Sequence, residues 1–377
     1  MNIPLPAGWQ RVCKGGRVVR EHRGWVSGGP WAALGLLAFA WLPSAPACAQ
    51  AADAAQTTPA VSVLAITPQI NMLTVNGVNV VVQSGEDGTV VVDSGPAAGA
   101  DALLAAVRKV ATGTIHYVID TGADAELVGG NAALASAGHS VAAEDFFVAA
   151  QGRQLNGVFT LPGAGGGTGA PVIARQSVLT RLVTDPGANY SGAALPTDTF
   201  TRPEFNLYSS EPIAVVWLPN AHSDSDTAVR FERSDVVVAG EVFDPTRFPV
   251  IDIAHGGSIQ GEIDALNRLI NTLVFAHAPV LTEAGSTMVI PVHGPVSDID
   301  DLVTYRDMVD AVRQRVQYYL DHGRNYRQIV AADPAQGFHT RYGSDSGAWT
   351  TADFVDAVYK SLTAEHQGHE AKRGEEQ

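Results

Sequence analysis

Beyond position 60, short apolar runs alternate with turn residues. Residues 61–66, 78–82 and 90–92 have the β-branched composition of strands, and Ser84-Gly85-Glu86-Asp87-Gly88 reads as the hairpin turn between the last two. From Asp101 the period changes. Leu103, Leu104, Val107 and Val110 recur at helical spacing, and residues 115–119 then return to a buried-strand composition, so a strand–helix–strand unit is predicted. Residues 131–137 continue as a small-residue helix that Gly138 ends. Between Gln151 and Phe200 the pattern weakens. The run Gly163-Ala164-Gly165-Gly166-Gly167 reads as a flexible surface loop, because no helix opens after it as a phosphate-binding loop requires.

Strands resume at residues 213–218, 226–231, 235–239 and 287–291. Two helices with one apolar face each are predicted at 261–272 and 302–320, the second stopped by Gly323. The polar stretch 363–377 is expected to be a disordered tail. Two successive blocks of strands, each closed by helices, predict an α/β domain over residues 60–362 with two sheets face to face and helices outside.

Composition narrows the function classes. The chain of 377 residues is 46% hydrophobic and 17% charged, which is globular. Its 39 acidic against 24 basic side chains give a formal charge of −15, which argues against nucleic acid or anionic lipid as a partner. Residues 1–51 show basic, apolar and small-residue parts in the order of a secretory signal and leader. The apolar part, Trp31 to Leu42, is shorter than the roughly 20 residues a spanning helix needs, so no transmembrane anchor is expected after cleavage. An exported protein, periplasmic or secreted, is the expectation, and Cys48 leaves a lipoprotein open. Cys13 and Cys48 are the only cysteines, so the mature chain would have neither a disulfide nor a thiolate metal site.

Chemistry concentrates just beyond the apolar strands, where loops project functional groups. Asp124 and Glu126 follow the strand at 115–119, His222 follows 213–218, Glu241 follows 235–239, and His293 follows 287–291. Two imidazoles and several carboxylates in such places could converge on one divalent ion. Asp93 reads instead as a loop support through hydrogen bonds. His116 and His139 read as structural, His255 and His277 carry no partner pattern, and for His366 and His369 in the polar tail adventitious metal binding is the most expected. There is no Gly-x-Ser-x-Gly nucleophile elbow, so a serine hydrolase lacks its usual anchor.

The ordered landmarks Val91-Val92-Asp93-Ser94-Gly95, Val128-Gly129-Gly130-Asn131, Ala221-His222, Ala239-Gly240-Glu241-Val242-Phe243 and Ile290-Pro291-Val292-His293-Gly294 resemble the metallo-β-lactamase fold superfamily. The stretches Phe248-Pro249-Val250-Ile251-Asp252 and Gly256-Gly257-Ser258 further resemble an uncharacterised exported branch. The resemblance implies an αββα four-layer sandwich with a metal site at the edge of the sheets. Where the family has its H-x-H-x-D-H motif, this chain has Gly122, Asp124, Glu126 and Leu127, and Glu241 stands at the place of a bridging aspartate. The implied ligand set, His222, His293, Glu241, Asp124 and Glu126, is rich in carboxylates. It suits one divalent ion better than two, with zinc, manganese or iron all open. Asp124 and Glu126 are the candidate acid–base pair. The expected function is hydrolysis of an ester, lactone, amide or phosphoester in a small-molecule substrate through a metal-activated water. The alternative is a non-catalytic relative acting as a binding protein, which the residues at Gly122 and Leu127 favour.

Overall fold

A computed structural model describes residues 60–111, 113–140, 169–185, 187, 190, 192–274 and 287–375, all within one unit of the chain, Gln56–Gln377. The leader, Cys48 and the glycine run 163–167 lie outside the described residues.

Valine and isoleucine build two sheets. The first holds seven strands in spatial order β1 (Val61–Ala65), β2 (Ile70–Val75), β3 (Val78–Gly85), β4 (Gly88–Val92), β5 (Ile115–Ile119), β6 (Val172–Arg175) and β7 (Asp198–Phe200). Its first four strands form an antiparallel meander, and β4 to β7 run parallel. The second sheet runs β8 (Glu204–Ser209), β9 (Glu211–Trp217), β10 (Thr227–Phe231) and β11 (Val236–Gly240), all antiparallel, and closes with β12 (Met288–Pro291) parallel to β11.

Both faces of the central strands are covered, which is why their sequences read as continuous apolar runs rather than alternations. In β3 and β4, Val81, Val90 and Val92 point between the sheets, where they meet Val215, Val229, Phe231 and Val238 of the second sheet. Val80, Val82 and Val91 point the other way, against Leu103 and Val107 of α1 (Ala100–Val110) and Leu134 of α3 (Asn131–Ala137). A one-turn helix α2 (Ala125–Val128) precedes α3. On the far side of the second sheet, Val216, Ala228, Val237 and Val289 pack under α5 (Ile259–Arg268), α6 (Ile299–Asp321) and α9 (Thr351–Glu375). The layers are therefore helix, sheet, sheet, helix, as the sequence predicts.

Four differences from the sequence reading have local causes. The strand β2 was not anticipated, although Asn76 and Gly77, both at positive φ (51° and 85°), form the two-residue turn that joins it to β3. Between Gly169 and Ser209, where the pattern is weak, the chain still supplies β6, β7 and β8, and α4 (Gln176–Thr184) on buried Val178 and Leu182. Helix α5 starts two residues early because Ser258 caps it, its Oγ accepting from the Gly261 amide at 2.9 Å. Residues 269–274 then continue as a π-helix. Finally, α9 runs on to Glu375 through the stretch expected to be disordered, which contains no proline to stop it. Short helices α7 (Tyr326–Ala331) and α8 (His339–Tyr342) join α6 to α9.

Candidate metal centre

The strand ends at one edge of the two sheets carry the candidate residues. At the end of β4, Asp93 sits at φ 62° and accepts hydrogen bonds from the amide and hydroxyl of Thr121, at 2.8 and 2.9 Å. The next residue, Ser94, donates its hydroxyl to the Leu127 carbonyl at 2.8 Å and accepts from the Gly130 amide at 3.0 Å. These bonds fasten both ends of the acidic loop after β5, which is the supporting role the sequence suggests for Asp93.

Burial pushes the Asp93 carboxyl up to about 7, against the bonds from Thr121 that favour its charge. Between its ordinary value of 3.8 and about 7, the folded chain holds a proton there that the unfolded chain has lost. Stability is therefore full below pH 3.8 and declines as pH rises through about 7, a change worth about 4 kcal/mol. In the metal-free Asp93→Asn variant this part of the decline should vanish. Urea unfolding at several pH values across that window measures it, and an unchanged slope in the variant would refute the assignment.

The loop delivers Asp124, the residue preceding α2, toward His222 and Glu241. His222, just after β9, is 2% exposed, and its Nδ1 lies 2.9 Å from the Val250 carbonyl. With Nδ1 donating to that carbonyl, the Nε2 lone pair points into the site. Asp124 Oδ2 lies 3.4 Å from Nε2, and Glu241 Oε2 lies 3.5 Å from it. Neither contact is a hydrogen bond, and Nε2 of His222 and Oε2 of Glu241 are both buried without a hydrogen-bond partner. One ligand atom from each of Asp124, His222 and Glu241 lies within 4.8 Å of the other two.

Three lone-pair atoms facing one another in a buried place repel unless a cation joins them. The side chains respond as that predicts. Burial opposes the imidazolium of His222, but the charges of Glu241, Asp124 and Asp226 outweigh it and raise its pKa well above the ordinary value. Burial pushes the Glu241 carboxyl well above the usual carboxylate range, with His222 opposing. Burial would also raise Asp124, yet its contact with His222 and the charge of Arg181 hold it below that range. The donor set, two carboxylates and one imidazole with orphaned buried atoms, fits a divalent cation.

Glu126 and His293 form a second pair rather than joining this group. His293 Nε2 lies 2.9 Å from Glu126 Oε1, and its Nδ1 lies 3.0 Å from the Gly77 carbonyl. Residues two apart at the start of a helical turn face different sides, so Asp124 and Glu126 go to different partners. The His293 bond first of all holds the Glu126 carboxyl below its ordinary range. Burial disfavours charge on His293, but Glu126 and the Gly77 carbonyl raise its pKa.

At Gly122 and Leu127, two positions where the resemblance implies histidines, the space is taken. A Cβ on Gly122 would stand 2.9 Å from Leu127 Cδ1 and 3.3 Å from Glu241 Oε2, so Leu127 and the longer acid at 241 occupy that region. Leu127 itself is fully buried among Val78, Val128, Val178 and Val292.

The sequence reading missed three contributors. Arg181 of α4 pairs with Asp124 Oδ1 at 2.9 Å and with Asp252 Oδ2 at 3.2 Å. Asp226 is buried beside His222 and accepts from the Ser223 amide and hydroxyl at 2.6 and 3.0 Å, and burial raises its carboxyl to about 6. Glu262 of α5 is fully buried, and burial raises it well above the carboxylate range. The amphipathic spacing of Val178 and Leu182 was the available signal for α4. Nothing in the spacing of Asp226 or Glu262 announces them.

At the sequence level no family model and no curated protein matches the chain. In structure it is similar to a double mutant of the sec-alkyl sulfatase PisA1, at 11% identity and a TM-score of 0.57, covering 80% of this chain and 50% of that one. It is also similar to a metallo-beta-lactamase from Pontibacter korlensis, at 15% identity and a TM-score of 0.47 over 67% of this chain and 99% of that one. The DIM-1 metallo-beta-lactamase gives 14%, 0.46, 67% and 98% on the same measures. The chain thus spans half the length of the sulfatase. Layer order and strand-end site together define a protein of the metallo-β-lactamase fold.

Proposed function

We propose that this chain is an exported, metal-dependent hydrolase whose single divalent ion is held by Asp124, His222 and Glu241. One observation carries the reading: three ligand atoms converge, and those of His222 and Glu241 are buried with no hydrogen-bond partner. A divalent ion bound there supplies Lewis acidity and brings the pKa of a bound water toward neutrality. His222 can contribute only as neutral imidazole, with its proton on Nδ1 facing the Val250 carbonyl. Loading therefore releases the proton that Nε2 otherwise carries, and affinity falls as pH falls.

Glu126 and His293 suit proton transfer at the rim. Their side chains are 36% and 18% exposed, so the proton between Oε1 and Nε2 is within reach of a substrate. Glu126 accepts a proton from the attacking water, and His293 Nε2 returns one to the leaving group. A cavity of about 350 Å³ lined by Asp124, Arg181, Leu182, Asp185 and Tyr190 gives a small molecule room beside Asp124, although neither Glu126 nor His293 lines it. The bond cleaved is an ester, lactone, amide or phosphoester, and the ion is zinc, manganese or iron. The fold hosts many reactions and does not choose among them. Export rests on the leader sequence.

The filled space at Gly122 and Leu127 favours a second reading, a binding protein that kept the sandwich and lost catalysis. Metal analysis of purified protein against the His222→Ala, Glu241→Gln double variant tests the first reading. The native chain should hold close to one equivalent and the variant almost none, and equal contents would remove the basis of the proposal. A panel of generic esters, lactones and a chromogenic β-lactam, assayed with and without Zn²⁺, Mn²⁺ and Fe²⁺, separates the two readings, since inactivity throughout favours the binding protein.

A further inference from the structure

We infer that Arg181 is a positioning residue that makes Asp124 a one-oxygen ligand, and that the loop of residues 250–257 holds this arrangement from behind. The inference rests on the metal centre proposed above and concerns groups that do not themselves touch the ion.

The geometry runs through three separate parts of the chain. One nitrogen of Arg181, Nη2, faces Asp124 Oδ1 at 2.9 Å and Asp252 Oδ2 at 3.2 Å. Asp124 is thereby split, with Oδ1 in an ion pair with the guanidinium that lacks hydrogen-bond geometry and Oδ2 toward His222 Nε2. A carboxylate unrestrained at this position can offer a cation either one oxygen or two. Held by Arg181, it presents one, as an imidazole at the corresponding motif position would. The cationic side chain also offsets one of the two negative charges that Asp124 and Glu241 bring to the centre.

Asp252 is itself tightly placed. It accepts from the His255 amide at 3.2 Å, and its other oxygen lies 2.5 Å from His255 Nδ1. Its own amide donates to the His222 carbonyl at 2.8 Å, and two residues earlier the Val250 carbonyl meets His222 Nδ1 at 2.9 Å. The same loop therefore orients His222 directly and Asp124 through Arg181. This gives a role to the landmark Phe248-Pro249-Val250-Ile251-Asp252, which the metal ligands alone leave without one. With side-chain exposures of 17% for Arg181 and 21% for Asp252, the pair is shielded enough for the contact to matter.

The test titrates Mn²⁺ into the metal-free full chain, followed by calorimetry and by the electron paramagnetic resonance of the bound ion, for the native protein and for Arg181→Ala, Arg181→Lys and Asp252→Asn. Thermal unfolding of each metal-free variant is measured alongside. Arg181→Ala is expected to weaken Mn²⁺ binding by about tenfold or more, the usual loss when an outer partner of a ligand is removed. Its resonance should change with the altered carboxylate binding. Arg181→Lys, which can still reach one of the two acids, should recover part of the loss, and Asp252→Asn should show a smaller loss of the same sign. Added guanidinium, compared with sodium at equal ionic strength, should partly restore Arg181→Ala.

Unchanged affinity in Arg181→Ala would overturn the inference and leave the metal centre standing. Tighter binding would overturn it too, by showing that Arg181 competes with the ion for Asp124. Should Arg181→Ala unfold, Asp252→Asn decides in its place, with native affinity refuting the role. No binding by the native chain would remove the metal centre and this inference with it.

Discussion

Glu241→Gln is expected to lose affinity for a divalent ion by on the order of a hundredfold, with hydrolysis falling in step. Glutamine preserves the shape of the side chain and removes its charge. In the native chain the Glu241 carboxyl is buried and shifted upward by that burial, so folding at neutral pH carries the cost of either ionising or protonating it. The loss of affinity should lie at or beyond the upper end of the roughly 10- to 100-fold typical of an outer-shell partner, because Glu241 Oε2 is itself one of the three converging atoms.

A further consequence follows for His222. Glu241 is the strongest of the charges that raise its pKa. The stability this raised value confers is full below the ordinary 6.5 and lost as pH rises through the folded value. In Glu241→Gln that window should narrow from its upper end, visible as a lower titration midpoint of the His222 ring in a nuclear magnetic resonance titration of the metal-free protein. Native-like metal affinity in this variant would mean that Glu241 is not a ligand. An unmoved midpoint would contradict the electrostatic account of His222.

Gly257→Ala should be strongly damaging to the site. A Cβ there would stand 2.1 Å from the His222 carbonyl oxygen, 2.8 Å from its carbon and 3.0 Å from the Ala221 carbonyl oxygen. All three are backbone atoms, so no side chain can swing aside and the loop itself must retreat. That movement strains the bond from the Asp252 amide to the His222 carbonyl and shifts Val250 away from Nδ1. Overpacking of this kind costs about 3 kcal/mol. Calorimetry should show a lowered Tm, and metal affinity should fall with it because the imidazole loses its orientation. A variant with native Tm and native affinity would disprove the close packing of this loop on His222.

The αββα architecture was legible because its cause is local. Strands buried on both faces are apolar over most of their length, and the valine runs in β3, β4 and β11 show it without reference to any partner. Helices α1, α5 and α6 were equally legible from apolar residues at helical spacing, and α3 from its small residues and Gly138. Asp124, His222, Glu241 and His293 could be nominated because each follows such a strand. The stretch from Gly169 to Ser209 was not legible, since its strands are short and its turns dense, so neither period develops.

How the nominated residues divide among themselves was beyond the sequence. Spacing along the chain cannot tell that Asp124 joins His222 and Glu241 while Glu126, two positions on, pairs with His293. Nor can it join Arg181 to acids 57 positions before it and 71 after it. Periodicity reports which face of an element avoids water, a property averaged over many residues. A metal centre depends on single atoms brought within a few ångströms of one another from distant segments, and the packing of the two sheets sets those distances.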